Sequence, residues 1–199
     1  VKYAAATSLT AEVDTTSNGA APSGAVSFTE SGNDLIVYNA SSLGTAGGAS
    51  GFAKLNASGT FNFMSLGSHN VTAHYAGDNN YLASVSQALT FNVVQDDTRI
   101  GSIGCGGNFT TGSPVTITAS VLTDGAGVQP TGTVTFYDGT TVMNGTVTYS
   151  GHDGTQYVSA ELDANLTYTF STAGTHQITA KYSGDNYYLA SDSGTPQSL

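Results

Sequence analysis

One stretch of sixteen residues occurs twice in this chain. His69-Asn-Val-Thr-Ala-His-Tyr-Ala-Gly-Asp-Asn-Asn-Tyr-Leu-Ala-Ser84 returns as His176-Gln-Ile-Thr-Ala-Lys-Tyr-Ser-Gly-Asp-Asn-Tyr-Tyr-Leu-Ala-Ser191, with eleven positions identical at a constant offset of 107. A unit that recurs at this spacing has the size of a whole small domain. Whatever fold the chain adopts, it must be one that can be built twice from about 100 residues each. Features present in both copies are expected to maintain that fold, whereas a catalytic site would be expected in one copy or in neither.

The repeat extends well beyond this segment. Pro22-Ser23-Gly24-Ala25-Val26-Ser27-Phe28 matches Pro130-Thr131-Gly132-Thr133-Val134-Thr135-Phe136 at offset 108, and Ala53-Lys54-Leu55 matches Ala160-Glu161-Leu162 at offset 107. The offset slips by one residue between Phe28 and Ala53, which is where variable loops are expected. The boundary falls near Gln95-Asp96-Asp97, giving domains 1–95 and 96–199. The ends are out of phase with the repeat. Copy 2 has a plausible first strand within Thr98–Thr111, where copy 1 has only Val1–Thr7. Copy 1 finishes on the alternating run Leu89–Val94, whose counterpart in copy 2 would run past residue 199. This reads as a piece of a longer protein or a processed subunit. A sandwich short of an edge strand exposes backbone groups and a groove. The expectation is that such a groove is filled by a strand from elsewhere, with the Val1 or Leu199 end completing a neighbour and a head-to-tail filament as the result.

Successive side chains of a strand point to opposite faces, so half-buried strands alternate in polarity. Val115-Thr-Ile-Thr-Ala-Ser-Val121, Ile178-Thr-Ala-Lys-Tyr182 and Val71-Thr-Ala-His-Tyr75 all alternate in this way. Asp138-Gly139 predicts a tight hairpin, and Gly-Asp-Asn at 77–79 and 184–186 predicts turns. No window carries a helical stripe. Several short strands per copy predict an all-β chain of two tandem β-sandwiches. Val26, Phe28, Val71 and Ala73 are the expected core of copy 1, and Val134, Phe136, Ile178 and Ala180 that of copy 2.

Charge narrows the partners. The net charge is −10, with only four Lys and Arg among 199 residues. Neutralising phosphates needs a basic patch, so nucleic acid is not an expected partner. No apolar run is long enough to span a bilayer as a helix, and membrane insertion is not expected. The single cysteine, Cys105, rules out an internal disulfide and is expected to be buried. A surface poor in Lys and Arg gives trypsin-like proteases little to cut, which suits life outside the cell.

Two stretches of the chain, in order, resemble the bacterial immunoglobulin-like repeat family: Pro130-Thr-Gly-Thr-Val-Thr-Phe-Tyr-Asp-Gly139, then His176 to Leu189. Copy 1 repeats the second closely and departs from the first, with Thr29-Glu30 where copy 2 has Tyr137-Asp138. The resemblance implies a seven-stranded immunoglobulin-like sandwich, tandem arrays in bacterial surface or secreted proteins, and no catalytic residues or cofactor.

Asp78 and Asp185, in the Gly-Asp-Asn turns, would be calcium ligands only with more oxygens around them, since a hard cation takes six or more. Each turn has one carboxylate. The expected role is local: the carboxylate bonds nearby backbone N–H groups and fixes the turn. Gly77, Asp78 and Tyr81, with Gly184, Asp185 and Tyr188, are therefore expected to be structural, the tyrosines packing in the core with a bonded hydroxyl. His69 and His176 are equivalent and expected to be structural too, while His74 and His152 have no counterpart. No His/Cys spacing suggests a metal site. The glycine-rich run Gly101–Gly107 lacks the Lys-Ser/Thr of a phosphate-binding loop and is expected to be a first strand ending in a bend. Tyr38, Tyr149, Tyr157, Tyr168 and Tyr187 are unrepeated tyrosines and candidates for contacts. Asn39, Asn56, Asn70, Asn108, Asn144 and Asn165 begin Asn-x-Ser/Thr sequons, candidate glycosylation sites in only slight excess over chance.

These readings point to a non-catalytic structural module of an extracellular or cell-surface protein: a stalk, an adhesin segment or a filament subunit. Its partners would be neighbouring repeats or identical subunits. The alternative is a carbohydrate-binding accessory module of a secreted enzyme, with unrepeated tyrosines meeting surface glycans.

Overall fold

A computed structural model describes residues 1–16, 19–30, 33–36 (backbone only) and 53–199 of the chain. Among these residues there is no helix. The chain divides into two compact units. Unit 1 holds Val1, Ala6–Phe63 and Gly67–Val93, and unit 2 holds Lys2–Ala5, Met64–Leu66 and Val94–Leu199. Each is built of strands in two sheets.

In unit 1 the strands are β1 (Ala6–Asp14), β2 (Val26–Glu30), β3 (Asn33–Ile36), β4 (Lys54–Asn62), β5 (Gly67–Tyr75), β6 (Ser84–Val85) and β7 (Leu89–Val93). One sheet pairs β1 with β4, in register from Ala6 opposite Asn62 to Asp14 opposite Lys54. The other runs β3-β2-β5-β6, with β7 also on β5. The alternation seen in the sequence sets which side chains meet. Leu9 of β1, Leu55, Ala57 and Phe61 of β4, Val26 and Phe28 of β2, and Val71 and Tyr75 of β5 are all buried. Ala73, expected in this core, is only half-buried, because it lines an open groove beside β1. Tyr38 and Asn39 lie outside the described residues.

Unit 2 repeats this plan. They are β8 (Thr98–Gly107), β9 (Pro114–Thr123), β10 (Val134–Asp138), β11 (Thr141–Val142), β12 (Thr146–His152), β13 (Glu161–Thr169), β14 (Gln177–Tyr182), β15 (Ser191–Asp192) and β16 (Gln197–Ser198). One sheet is β12-β13-β9-β8, and the other β11-β10-β14-β15, with β16 also on β14. Asp138 stands opposite Thr141, so the Gly139-Thr140 turn is the expected two-residue hairpin. The glycine-rich run lies within β8, paired with β9 through a register shift between Ile100 and Ile103. The core is apolar: Val115, Ile117, Ala119 and Val121 from β9 and Leu162, Ala164 and Leu166 from β13 face Val134, Phe136, Ile178, Ala180 and Tyr182, all buried. At about 25 cal/mol for each Å² of apolar surface removed from water, side chains of this kind are the main favourable term in folding.

The segment Lys2–Ala5 also belongs to unit 2. Tyr3 is fully buried there, its ring stacked on Tyr187 at 4.5 Å and edge-on to Tyr188 at 5.8 Å. The Tyr3 N–H donates to the Val94 carbonyl (2.8 Å), and the Ala126 N–H to the Ala4 carbonyl (3.2 Å). Ala4 takes a left-handed backbone, φ 52°, which a non-glycine residue adopts only where its surroundings hold it.

Candidate functional site

The repeated polar residues converge on one corner of each unit, where the two sequence motifs of the repeat meet. In unit 1, Asp78 Oδ1 accepts from the N–H groups of Asn80 (2.8 Å) and Tyr81 (2.9 Å) and so closes its own turn. Oδ2 reaches across to Ser23, accepting from its N–H (2.7 Å) and its hydroxyl (3.1 Å). Unit 2 has the same clamp. Asp185 Oδ1 accepts from the N–H of Tyr187 (2.8 Å) and Tyr188 (3.0 Å). Its Oδ2 accepts from the Thr131 N–H (2.7 Å) and hydroxyl (3.1 Å), and also from the Tyr182 hydroxyl (3.0 Å).

Donors aimed at a carboxylate favour its charged form. The Ser23 and Asn80 backbone N–H groups thus hold Asp78 well below the usual carboxylate range. For Asp185, burial pushes upward, but the donors from Thr131, Tyr187 and Tyr182 outweigh it and the net shift is down. Burial, and then the bond to Asp185, push the Tyr182 hydroxyl up. Both aspartates are acceptors already filled by the protein's own N–H and O–H groups. Each carboxylate bonds the N–H groups of its own turn and, beyond it, a distant loop.

Close approach explains the glycines of the clamp. A Cβ on Gly24 would stand 2.2 Å from the Gly77 carbonyl oxygen, and one on Gly132 2.4 Å from that of Gly184. Gly77 and Gly184 themselves have φ of 81° and 75°, the left-handed region that favours glycine. The tyrosine that follows each turn fastens a further loop: the Tyr81 hydroxyl donates to the Ala20 carbonyl (2.6 Å), and the Tyr188 hydroxyl to that of Val128 (2.7 Å).

A second repeated device lies on β5 and just before β14. His69 Nδ1 is 2.5 Å from Glu30 Oε1, and His176 Nδ1 is 2.5 Å from Asp138 Oδ2. Each ring also packs on an equivalent aromatic, His69 edge-on to Phe63 at 5.1 Å and His176 against Phe170 at 4.2 Å. The bond to Asp138 raises the pKa of His176 against a smaller opposing effect of burial. The recurrence of a histidine was visible in the sequence. Its carboxylate partner was missed, although Glu30 and Asp138 occupy equivalent positions and both are acidic. Tyr3 was missed as well, and its counterpart Thr111 gave no signal.

The unrepeated groups are dispersed. His74 Nε2 lies 2.9 Å from the Thr29 hydroxyl and 3.0 Å from that of Thr72, and His152 stands 3.6 Å from Glu161. Tyr168 packs edge-on to Phe170, and Tyr187 stacks on Tyr3. Tyr149 is exposed, with its hydroxyl accepting from the Val134 N–H (3.0 Å). Tyr157 is 88% exposed. Cys105, expected inside, is only half-buried on β8, and that burial pushes its thiol pKa up. Of the sequon asparagines, Asn56, Asn70, Asn108 and Asn144 are exposed and Asn165 is half-buried. Among the described residues, no three His, Cys, Asp or Glu side chains come together as metal ligands would.

A family model described as the bacterial Ig-like domain, group 3, matches residues 1–94 and again residues 106–198. The chain belongs to this family. Its two matches fall on the two copies of the repeat, and each contains one aspartate clamp and one His–carboxylate pair. No curated protein matches the chain in sequence. Bacterial Ig-like domains are generally non-catalytic and often surface-exposed modules. Among the described residues, no helix is long and apolar enough to cross a membrane.

Proposed function

We propose that this pair of bacterial Ig-like domains is a non-catalytic structural module of an extracellular or cell-surface protein, serving as a stalk or adhesin segment. One observation carries the reading. The polar groups that recur in both units are engaged in bonds that hold the sandwich together, at the aspartate clamp, the tyrosine anchor and the His–carboxylate pair. A module built this way contributes length and resistance to force. Strand pairs loaded in shear must break several hydrogen bonds at once, and a clamp between distant segments adds to that resistance. The scarcity of Lys and Arg agrees with a place where proteases are met.

Single-molecule pulling on a polymer of the full chain tests this. Two unfolding steps of similar contour length per chain are expected, at forces well above those that extend an unfolded polypeptide. Extension without such steps would count against a mechanical role. Glycan-array binding by the full chain that Tyr157→Ala abolishes would instead favour the carbohydrate-binding accessory module.

A further inference from the structure

Among the described residues, Asp96 of unit 2 is the only buried carboxylate, with 1% of the residue exposed. Its Oδ2 has no hydrogen-bond partner among them. The backbone on either side is tied down. The Asp96 N–H donates to the Tyr187 carbonyl (2.9 Å), and the Asp96 carbonyl accepts from the Leu189 N–H (2.9 Å). The side chain therefore reaches water only if these bonds or its cover give way. A buried charge is costly unless paired and hydrogen-bonded, so a carboxylate held here makes its surroundings sensitive to whether it carries a proton.

Those surroundings are the fastenings of one strap, Lys2–Ala5. Lys2 bridges Val94, and its ammonium bonds the Asp97 carboxylate. The Tyr3 ring lies on Tyr187 and Tyr188, the residues whose backbone holds Asp96. The Ala4 carbonyl accepts from the Ala126 N–H. A Cβ on Gly125 would stand 3.0 Å from that carbonyl, and one on Gly127 2.5 Å from the Tyr3 ring. At the head of the same loop, the Asp124 N–H bonds the Asp96 carboxylate, as does the N–H of Asp97. The charged groups facing Asp96 are Lys2 on the strap, Asp97 beside it and Asp124 on the loop, the last paired with Arg99 at 2.9 Å. The nearby hydroxyls of Tyr3 and Tyr188 are pushed up by burial and stay neutral.

We infer that Asp96 is a proton-operated latch for the Lys2–Ala5 strap: a proton on its carboxyl tightens the strap in its socket, and loss of that proton loosens it. The neutral acid sits in the interior without a charge to hydrate. The ionised form leaves a charge with one oxygen unpaired, and opening the strap lets water reach it. Burial raises the pKa of Asp96, the repulsion of Asp124 adds to this, and the Asp97 N–H and the charge of Lys2 oppose it without cancelling it. The hold is therefore complete below the ordinary aspartate value of about 3.9 and declines as pH rises through the higher folded value. Lys2 steadies the ionised form, so it sets where in pH the latch lets go. The inference stands apart from the mechanical role, since a stalk and a non-mechanical module would both carry such a latch.

The test follows hydrogen exchange of the full chain from about pH 8 down to about pH 4.5, with rates corrected for the intrinsic pH dependence of exchange. Protection of the Tyr3 and Ala126 amides is expected to rise several-fold as pH falls, while the amides of β9 and β13 keep theirs. Asp96→Asn keeps an acceptor for the N–H groups of Asp97 and Asp124 but carries no charge, and should give high protection at both ends of the range. Lys2→Met changes an exposed side chain and leaves the buried position alone. It should move the midpoint of the change to higher pH, which a carboxylate with only a packing role would not show. Protection of Tyr3 and Ala126 that ignores pH, or that responds equally in Asp96→Asn, would overturn the inference. So would an equal rise in β9 and β13, because the proton would then act on the whole unit and not on the strap. A midpoint that Lys2→Met leaves in place or lowers would overturn it too.

Discussion

Strands β1 and β9 are two versions of one strand. Leu9 answers to Ile117, Ala11 to Ala119 and Val13 to Val121, and each is paired with the same partner strand of its unit, β4 or β13. Yet β9 is sealed and β1 is half open. Their own sequences do not account for this, since the polarity alternates alike in both. What differs is the neighbour, because β8 covers β9. Burial of an inward side chain is thus a property of the assembly around the strand. Two copies of one unit can differ in core exposure while agreeing in pattern, pairing and clamp.

The comparison can be broken most directly in the core. Phe136→Ala should destabilise unit 2 by about 3–5 kcal/mol, the range for truncating a buried Phe. Phe28→Ala should cost unit 1 less, because Phe28 borders the groove beside β1 and the vacated space can hydrate. Denaturant unfolding, with hydrogen exchange to separate the two units, would measure both. Equal losses would mean that this groove is closed in solution.

The clamp should behave alike in kind and unlike in degree. Asp185→Asn removes charge-assisted bonds and should cost unit 2 about 1–3 kcal/mol. Asp78→Asn should act in the same direction but more weakly, since burial bears less on Asp78 than on Asp185 and water can replace part of what is lost. Thermal melts of the two variants would rank them, and the reverse order would refute the account of the clamp.

One added pair of methyl groups gives a finer probe. Ala119→Val inserts volume into a sealed core and should cost about 1–3 kcal/mol. Ala11→Val, at the equivalent place on the groove, should stay within about 0.5 kcal/mol. Matching losses by calorimetry would again contradict an open β1.

The smallest expected effect is on pH. His176 is raised by its bond to Asp138, so its protonated form is favoured in the folded state. The stabilisation is complete below the ordinary histidine value of about 6.5 and fades as pH rises through the higher folded value. The melting temperature of unit 2 should therefore carry a downward slope from about pH 6.5 into the alkaline range, which His176→Gln removes. A slope unchanged by that substitution would place its origin elsewhere.

Much of this was legible in the residues. The alternation in Val115–Val121 and Ile178–Tyr182 gave strands and faces, and Asp138-Gly139 gave a hairpin, because these signals are local. The turn role of Asp78 and Asp185 was local too. What escaped was contributed from a distance. Asp78 reaches Ser23 and Asp185 reaches Thr131, and nothing within either motif announces the other. The half-burial of Ala73 and of Cys105 depends on which strands are neighbours, and the burial of Tyr3 depends on loops more than 100 residues away in sequence.

The clamp joins residues 55 apart in unit 1 and 54 apart in unit 2. The one-residue change in length is therefore enclosed by the clamp and leaves its geometry intact. In evolutionary terms, the repeat has pinned positions with slack between them. Insertions and deletions between the pins are accommodated, while the pins keep their chemistry in both copies: a hydroxyl at Ser23 or Thr131, the two glycines and the aspartate. A lineage assembling arrays from such units can vary the intervening loops in each copy without renegotiating how any copy folds.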